Sequence, residues 1–319
     1  MTQPDSRQFD VVTGAFSYSG AAIARELLRR GRDVRTLTGH PERAPDGSPI
    51  GTRSLDFAAE KDLAESMAGA HTLYNTYWVR FAHGKVSHEL AVVNSKVLFA
   101  AAASAGVRRI VHISITNPSL TSEDSYFRGK AEVERALIGC GVPYAVARPA
   151  VLFGGDGVLV NNIAWLLRRL PLFAIGGRGL YRLRPIHIDD LARLCADLGA
   201  SADPAAIVDA VGPQSLTFRQ MVDEIRDAVG SRSVIVPVPG AIIPVLAAAL
   251  NLALCDTLLT ADEYASMAAG RADSVGPATG QVVFTDWVHA HGAELGRHYA
   301  NELERHFRSA AGASSKAPA

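Results

Sequence analysis

The stretch Val11-Val12-Thr13-Gly14-Ala15-Phe16-Ser17-Tyr18-Ser19-Gly20 passes from an apolar, β-branched segment straight into a helical one. Its glycines permit a tight turn and let the following helix, Ala21 to Arg30, lie close against the strand Phe9 to Thr13. Amide groups at a helix start favour an anion and the helix dipole helps them, so a diphosphate suits this turn. Gly14, Phe16, Ser17, Tyr18 and Gly20 are therefore the candidate binding residues here. Ser17 stands where a G-x-x-G-x-x-G pattern has its middle glycine, which either narrows the backbone's approach to phosphate or adds a hydroxyl donor. A glycine turn alone is a weak signal, but one that closes the first strand of a repeating pattern is a much stronger one.

The repetition is visible as far as Arg148. Short apolar runs at Asp33 to Thr38, Thr52 to Leu55, Thr72 to Tyr74, Arg109 to Ser114 and Val142 to Arg148 alternate with helical segments at Lys61 to Met67, Ser87 to Ala105 and Tyr126 to Ile138. Such β-α-β alternation predicts an α/β fold, a Rossmann-type doubly wound parallel sheet. Beyond Phe153 the pattern loosens around Gly154 to Gly157 and Gly176 to Gly179, which predicts a smaller C-terminal substrate cap. Later elements are read at Ile207 to Val211, Thr217 to Val229, Val234 to Val236 and Trp287 to Phe307. The expected division is a dinucleotide-binding core over 1–155, a cap with elements returning to the core over 156–308, and a disordered Ala/Ser/Gly/Pro-rich tail over 309–319.

Composition narrows the choice of partner. With 32 basic and 32 acidic residues the formal charge is zero, so no global field gathers nucleic acid or anionic membrane. A small-molecule substrate is the expectation. Cys140, Cys195 and Cys255 lack paired spacing, which argues against a disulfide framework or zinc site and makes a reducing cytoplasm the default compartment. No metal is expected. The polar start, Met1 to Phe9, has no apolar signal core. Ala241 to Leu254 is the most apolar run, but Pro244 and Asn251 interrupt it and it is short for a membrane span, so it reads as a buried or partner-facing helix.

A dinucleotide of the NAD type often meets an acid at the tip of the second strand, which holds a ribose hydroxyl. Here the tip reads Leu37-Thr38-Gly39-His40-Pro41-Glu42-Arg43, with no acid at the tip itself. Thr38, His40 and Arg43 would instead meet a 2'-phosphate, which favours NADP over NAD, although a solvated loop has the same look. Asp56 and Phe57 follow the third strand, where Asp56 would accept from an adenine amino group or simply open a helix.

Tyr126-Phe127-Arg128-Gly129-Lys130 sets a phenol and an ammonium four residues apart, on one face of a helix. A neighbouring cation favours phenolate and brings an ordinarily weak acid toward acid/base work near neutrality. Transfer of hydride to or from a carbonyl carbon needs a proton relay at oxygen, which such a tyrosine supplies. Ser114 and Thr116 end the preceding strand, and either would orient a carbonyl through its hydroxyl.

Taken together, these residues resemble the short-chain dehydrogenase/reductase superfamily in its extended and atypical branch. The resemblance rests on Thr13-Gly14-Ala15 through Gly20, Leu55-Asp56, Asn94, Gly106 to Val111 leading to Ser114, Tyr126 with Lys130, Arg148-Pro149, Phe153-Gly154, and Pro185 to Ala192. It implies NAD(P) across the sheet edge and Tyr126 as acid/base. Lys130 would also grip the nicotinamide ribose, with Ser114 or Thr116 completing the site. Asn75, Thr76, Pro149 and Val151 would line the cofactor, and Tyr77, Trp78, Arg80, Phe81, Asn161 and Asn162 the substrate. The function implied is an NAD(P)-dependent oxidoreductase acting on a small carbonyl or alcohol. Alternatives are a nucleotide-sugar epimerase or dehydratase, against which the short Ser114 to Tyr126 spacing argues, and a non-catalytic NAD(P)-binding sensor or assembly protein. Arg168, Arg169, Arg178, Arg182 and Arg184 suit either an anionic substrate or an ordinary surface. His187 with Asp189 and Asp190 reads as a structural turn opening a helix rather than a metal cluster.

Overall fold

The computed structural model describes residues 8–82 and 84–303; residues 1–7 and the tail read at Ser309 to Ala319 lie outside them. In chain order the elements are β1 (Phe9–Thr13), α1 (Tyr18–Arg29), β2 (Asp33–Thr38), β3 (Gly51–Ser54), α2 (Glu60–Met67), β4 (Ala70–Asn75), α3 (His88–Ser104), β5 (Arg109–Ile113), α4 (Ser125–Ile138) and β6 (Tyr144–Pro149). Next come β7 (Leu152–Phe153), α5 (Val158–Arg169), β8 (Leu172–Gly176), β9 (Arg182–Leu183) and β10 (Ile186–His187). Then follow α6 (Ile188–Ala200), β11 (Ala205–Ala210), β12 (Leu216–Thr217), α7 (Phe218–Ala228), β13 (Val234–Val238), α8 (Ile243–Leu254), α9 (Ala261–Ala268) and α10 (Phe284–His291).

Two compact units result: the chain up to Pro149 with Ile188–Ala210, and Ala150–His187 with the chain from Val211 onward. The first unit holds a seven-stranded sheet in the order β11-β6-β5-β4-β1-β2-β3, and every pairing in it is parallel. Helices α1 and α6 pack on one another, while α2, α3 and α4 form a second row, so the sheet is doubly wound as the sequence predicts. Strands covered on both faces are buried along their whole length, as β1 and β5 are. Leu63, Met67, Leu98, Phe99, Val133 and Leu137 close over Leu73 and Ile110 in one cluster. Each such side chain contributes roughly 1.5–3 kcal/mol of burial. Asp10 is the polar exception in β1: Arg32 grips its carboxylate at 2.7 and 2.9 Å, and Thr72 N donates to it at 3.2 Å.

The helix ends follow local chemistry. Gly31 closes α1 at φ 75°, a left-handed conformation that glycine adopts at no steric cost. Ser87 opens α3 by accepting from Leu90 N, and Asp124 opens α4 by accepting from Tyr126 N.

The second unit has its own core of Phe153, Ile163, Leu167, Ile175, Met221, Ile225 and Phe284. As expected, Thr217 caps α7, here in a reciprocal capping box with Gln220. One expectation fails here. Of the helix read at Trp287 to Phe307, residues 304–307 lie outside the described residues; within them α10 begins earlier, at Phe284, and stops at His291, and helical backbone returns only at residues 302–303. After α10 comes Gly292, where a Cβ would lie 2.2 Å from Ala228 O, and Gly296 has φ 70°, so the backbone turns instead of continuing. The apolar run before Cys255 forms α8, of which only Ile243 and Ala247 are buried, while Val245 and Leu252 are exposed.

Candidate active site

In a doubly wound sheet a ligand crevice opens where the strand order reverses, here at the carboxyl ends of β1 and β4. Those two ends are stitched together. Thr76 N and Tyr77 N donate to Thr13 Oγ1 at 2.8 and 3.1 Å, and Thr76 Oγ1 donates back to Thr13 O at 2.6 Å. Asn75 Oδ1 accepts from Tyr77 N, which leaves the Asn75 amide to donate to His112 Nδ1 at 3.1 Å. His112 therefore carries its proton on Nε2, an atom buried without a partner. Burial and then the Lys130 charge hold its pKa well below that of an ordinary histidine.

The turn after β1 is closed by its own backbone. Gly14 sits at φ 63° and donates to Leu37 O at 2.8 Å, while Ala15 N donates to Thr36 Oγ1 at 3.0 Å. Ser17 N and Ser17 Oγ both donate to Gly14 O, at 2.8 and 2.7 Å. The hydroxyl that replaces a glycine thus folds the turn on itself. At Gly20 a Cβ would lie 2.1 Å from Gly14 O, so only glycine lets α1 start this close to β1. A helix start this close to the strand end, with first-turn amides that no carbonyl within the helix can reach, fits a dinucleotide's diphosphate. Phe16 and Tyr18 are half-buried beside it.

At the tip of β2, Thr38 Oγ1 accepts from His40 N at 3.0 Å, and His40 Nδ1 lies 3.0 Å from Glu42 Oε1. An acid thus sits on one of the two residues read as a 2'-phosphate site, and Arg43 is left as the other. Asp56 is exposed and its carboxylate accepts from Ala58 N at 2.9 Å, closing the turn that precedes α2; Phe57 packs on Tyr77 with ring centroids 4.8 Å apart. The Tyr77 hydroxyl accepts from Asn94 Nδ2 at 2.8 Å, and burial pushes its pKa up.

Lys130 is 3% exposed, and its Nζ donates to Ile113 O at 2.9 Å, the carbonyl immediately before Ser114. Burial brings its pKa from 10.5 down to about 7, against the opposing pull of Glu134 one turn on. Glu134 in turn holds Arg148, with Arg148 Nε donating at 2.9 Å. Ser114 N donates to Ala147 O, yet among the described residues the buried Ser114 hydroxyl has no partner, an expensive state unless a ligand completes it. Thr116 is fully buried, and its N donates to Pro149 O at 3.1 Å.

Over this face lies Trp78. Lys130 Nζ sits 4.6 Å from its ring centroid, the Tyr126 ring meets it edge-on at 5.7 Å, and His88 stacks on it at 5.8 Å with 3° between planes. His88 Nδ1 lies 2.8 Å from Ser125 Oγ. The indole fits because residue 129 is glycine: a Cβ there would be 2.9 Å from Trp78 Cη2. Sequence reading placed Trp78 near the substrate but missed its packing on Lys130, and missed His88 and His112 altogether. The legible signal was Gly129, since a glycine inside a helix often marks a close approach.

The contacts of the other expected residues are as follows. Val151 and Phe153 belong to the second unit's core, where Val151 O accepts from Ile186 N. Asn161 and Asn162, read as substrate neighbours, hold the main chain at Gly296, His298 and Ala300. Four of the five arginines read there are clamps on carbonyls: Arg168 on Gly292 and Leu295, Arg169 on Gly296 and Arg297, Arg182 on Ser215, and Arg184 on Gly212 and Gly276. His187 packs over Gly154, where a Cβ would be 2.2 Å from its Nε2. Asp190 is buried and paired with Arg193.

A parallel sheet of this order with a glycine-closed turn at its switch point defines an NAD(P)-binding, Rossmann-type protein. Residues 14–163 match the NAD(P)H-binding family model. It is 22% identical over 234 residues to a mitochondrial protein of Arabidopsis thaliana, subunit 9 of the NADH dehydrogenase (ubiquinone) 1 alpha subcomplex, covering 68% of this chain and 57% of that one. It is 23% identical over 262 residues to the mitochondrial NADH-ubiquinone oxidoreductase 40 kDa subunit of Neurospora crassa, covering 79% and 68%. Identity is 28% over 168 residues to a 4-hydroxy-2-methyl-3-oxo-4-farnesyl-3,4-dihydroquinoline-1-oxide ketoreductase of Stigmatella aurantiaca, covering 46% and 50%. The chain thus spans between half and about two thirds of these relatives' lengths. Among solved structures, an NADPH-dependent quinone oxidoreductase of Escherichia coli superposes with TM-score 0.72 at 18% identity, covering 88% of this chain and 99% of that one. A nucleoside-diphosphate-sugar epimerase of Staphylococcus aureus gives the same TM-score of 0.72 at 18%, covering 88% and 100%. At such identity the likeness shows the fold. Among the described residues no helix is long and apolar enough to cross a membrane.

Proposed function

We propose that this chain is an NAD(P)-dependent oxidoreductase that interconverts a small carbonyl compound and its alcohol, with Tyr126 as proton donor and acceptor. One observation carries the reading: Lys130 hangs from the carbonyl next to Ser114, whose hydroxyl is buried and unpartnered, and Tyr126 lies one turn away on the same helix. Gly14, Phe16, Ser17, Tyr18 and Gly20 would hold the diphosphate, and Asn75, Thr76 and Pro149 the nicotinamide half. When bound, the nicotinamide supplies or accepts the hydride. Ser114 donates to the substrate oxygen and fixes it, Tyr126 Oη passes its proton to that oxygen, and the Lys130 cation stabilises the phenolate left behind. Thr38 and Arg43 favour NADPH over NADH, and Glu42 beside His40 reduces the margin. Replacing Tyr126 by Phe should cut turnover by about 10²–10⁴-fold and leave dinucleotide affinity within about twofold; unchanged turnover in a carbonyl screen overturns the assignment.

A second reading, cofactor binding without turnover, draws on Trp78. A ribose or substrate touches Lys130 only if the indole leaves its face, and two relatives are named as subunits of a larger oxidoreductase. NADPH bound stoichiometrically and never consumed would favour it. Net NADPH consumption excludes an epimerase cycle, in which the cofactor is restored within each turnover.

A further inference from the structure

At the opposite, amino-terminal edge of the sheet a cleft of about 210 Å³ is lined by His71, Arg108, Arg109, Pro143, Gly199 and Pro204, among others. The segments entering β4, β5, β6 and β11 meet there, because those strands are neighbours and run in parallel. Arg109 is the unusual member. It is 4% exposed, and its guanidinium donates only to two neutral acceptors, Asp203 O at 2.5 Å and Tyr144 O at 3.4 Å. Among the described residues its Nε is buried with no partner and no carboxylate makes an ion pair with it; burial lowers its pKa, and the more distant Asp203 charge does not offset that. Most other strongly buried charges of this unit are ion-paired: Asp10 with Arg32, Glu26 with Arg29 and Arg30, Glu134 with Arg148, Asp190 with Arg193; Lys130, which donates to Ile113 O in the dinucleotide crevice, is the other exception. A buried cation without a counter-ion is costly, and a planar guanidinium with unused N–H groups suits a tetrahedral oxyanion. Beside it, Arg108 is exposed with its side chain engaged by none of the described residues. His71 completes the wall; its Nδ1 lies 2.8 Å from Thr72 Oγ1.

We propose that this cleft is a second anion site, distinct from the dinucleotide crevice, which binds a phosphate group through Arg108 and Arg109 and supplies the counter-charge that Arg109 lacks. The phosphate comes either as the free ion or on a small organic monoester, and two probes tell these apart. Thermal unfolding of the full chain is measured in chloride, inorganic phosphate and glycerol phosphate at matched ionic strength, for wild type, Arg108→Gln and Arg109→Met. Wild type should gain about 2–4 °C with the probe that binds. Inorganic phosphate acting alone identifies the free ion as ligand, and glycerol phosphate acting alone identifies a monoester. Arg108→Gln should lose at least half of the gain, and Arg109→Met all of it. Arg108 is exposed, so its variant folds even where Arg109→Met does not, and its turnover should equal wild type. No gain with either probe, or a gain kept in full by Arg108→Gln, overturns the proposal; the latter would place the anion at the Gly14 to Gly20 turn.

Discussion

Two stretches of one sheet edge are built in opposite ways. The turn from Gly14 to Gly20 is held by main-chain atoms and one short hydroxyl, with all its closing bonds directed inward, so the helix start stays available to a ligand. The face of α4 bearing Tyr126 and Lys130 is covered by side chains, with Trp78 lying on Gly129 and His88 stacked behind it. Binding and chemistry are therefore separable in this fold. The turn is complete before anything binds, whereas on the proposed function the Tyr126 and Lys130 pair would have to be uncovered, with part of the binding free energy spent on moving the indole.

Gly20→Ala should show the largest effect, because its methyl group would meet Gly14 O at 2.1 Å. About 3 kcal/mol or more of stability should be lost in urea unfolding, with dinucleotide binding abolished in whatever fraction folds. A variant that binds normally would mean the turn yields and is not the preformed half of the comparison.

Lys130→Met comes next, and its sign is opposite. The folded pKa near 7 lies below the ordinary 10.5, so between those values the unfolded chain binds the extra proton and wild-type stability rises with pH across that window. Removing the amine should raise stability by about 2–4 kcal/mol at neutral pH, discounted for relaxation around a buried charge, and flatten the dependence of Tm on pH above neutrality. A lower Tm at pH 7 would show that Lys130 is well compensated. The smallest effect is expected of Trp78→Phe, which shortens the ring over Gly129. Dinucleotide Kd should fall by about threefold as the covering state loses population; no change, or weaker binding, would mean that the indole does not obstruct.

Much of this was legible in the sequence because it is periodic. Apolar runs of five or six residues at β1, β2, β4, β5 and β6, with a helix after β1, β4 and β5, leave few other topologies open. The positions of Tyr126 and Lys130 follow from helical spacing alone. What escaped is non-local. Nothing in the stretch from Tyr77 to His88 marks Trp78 for stacking over Lys130, and His112 inside β5 looks like any polar residue in an apolar strand. The arginines after Arg168 look like a ligand site, because sequence does not show which carbonyls a helix end or a glycine loop leaves unpaired; here those of residues 292–297 claim Arg168 and Arg169. The final helix was overread for the same reason, since Gly292 and Gly296 stop it through contacts with distant segments.

Equilibrium binding of NADPH and of NADH to the unmodified chain tests the central claim most directly. The structure predicts one dinucleotide bound per chain, with Kd of order micromolar for at least one of the two. Absence of binding by both would contradict it, since the preformed turn at Gly14 to Gly20 would then hold no diphosphate.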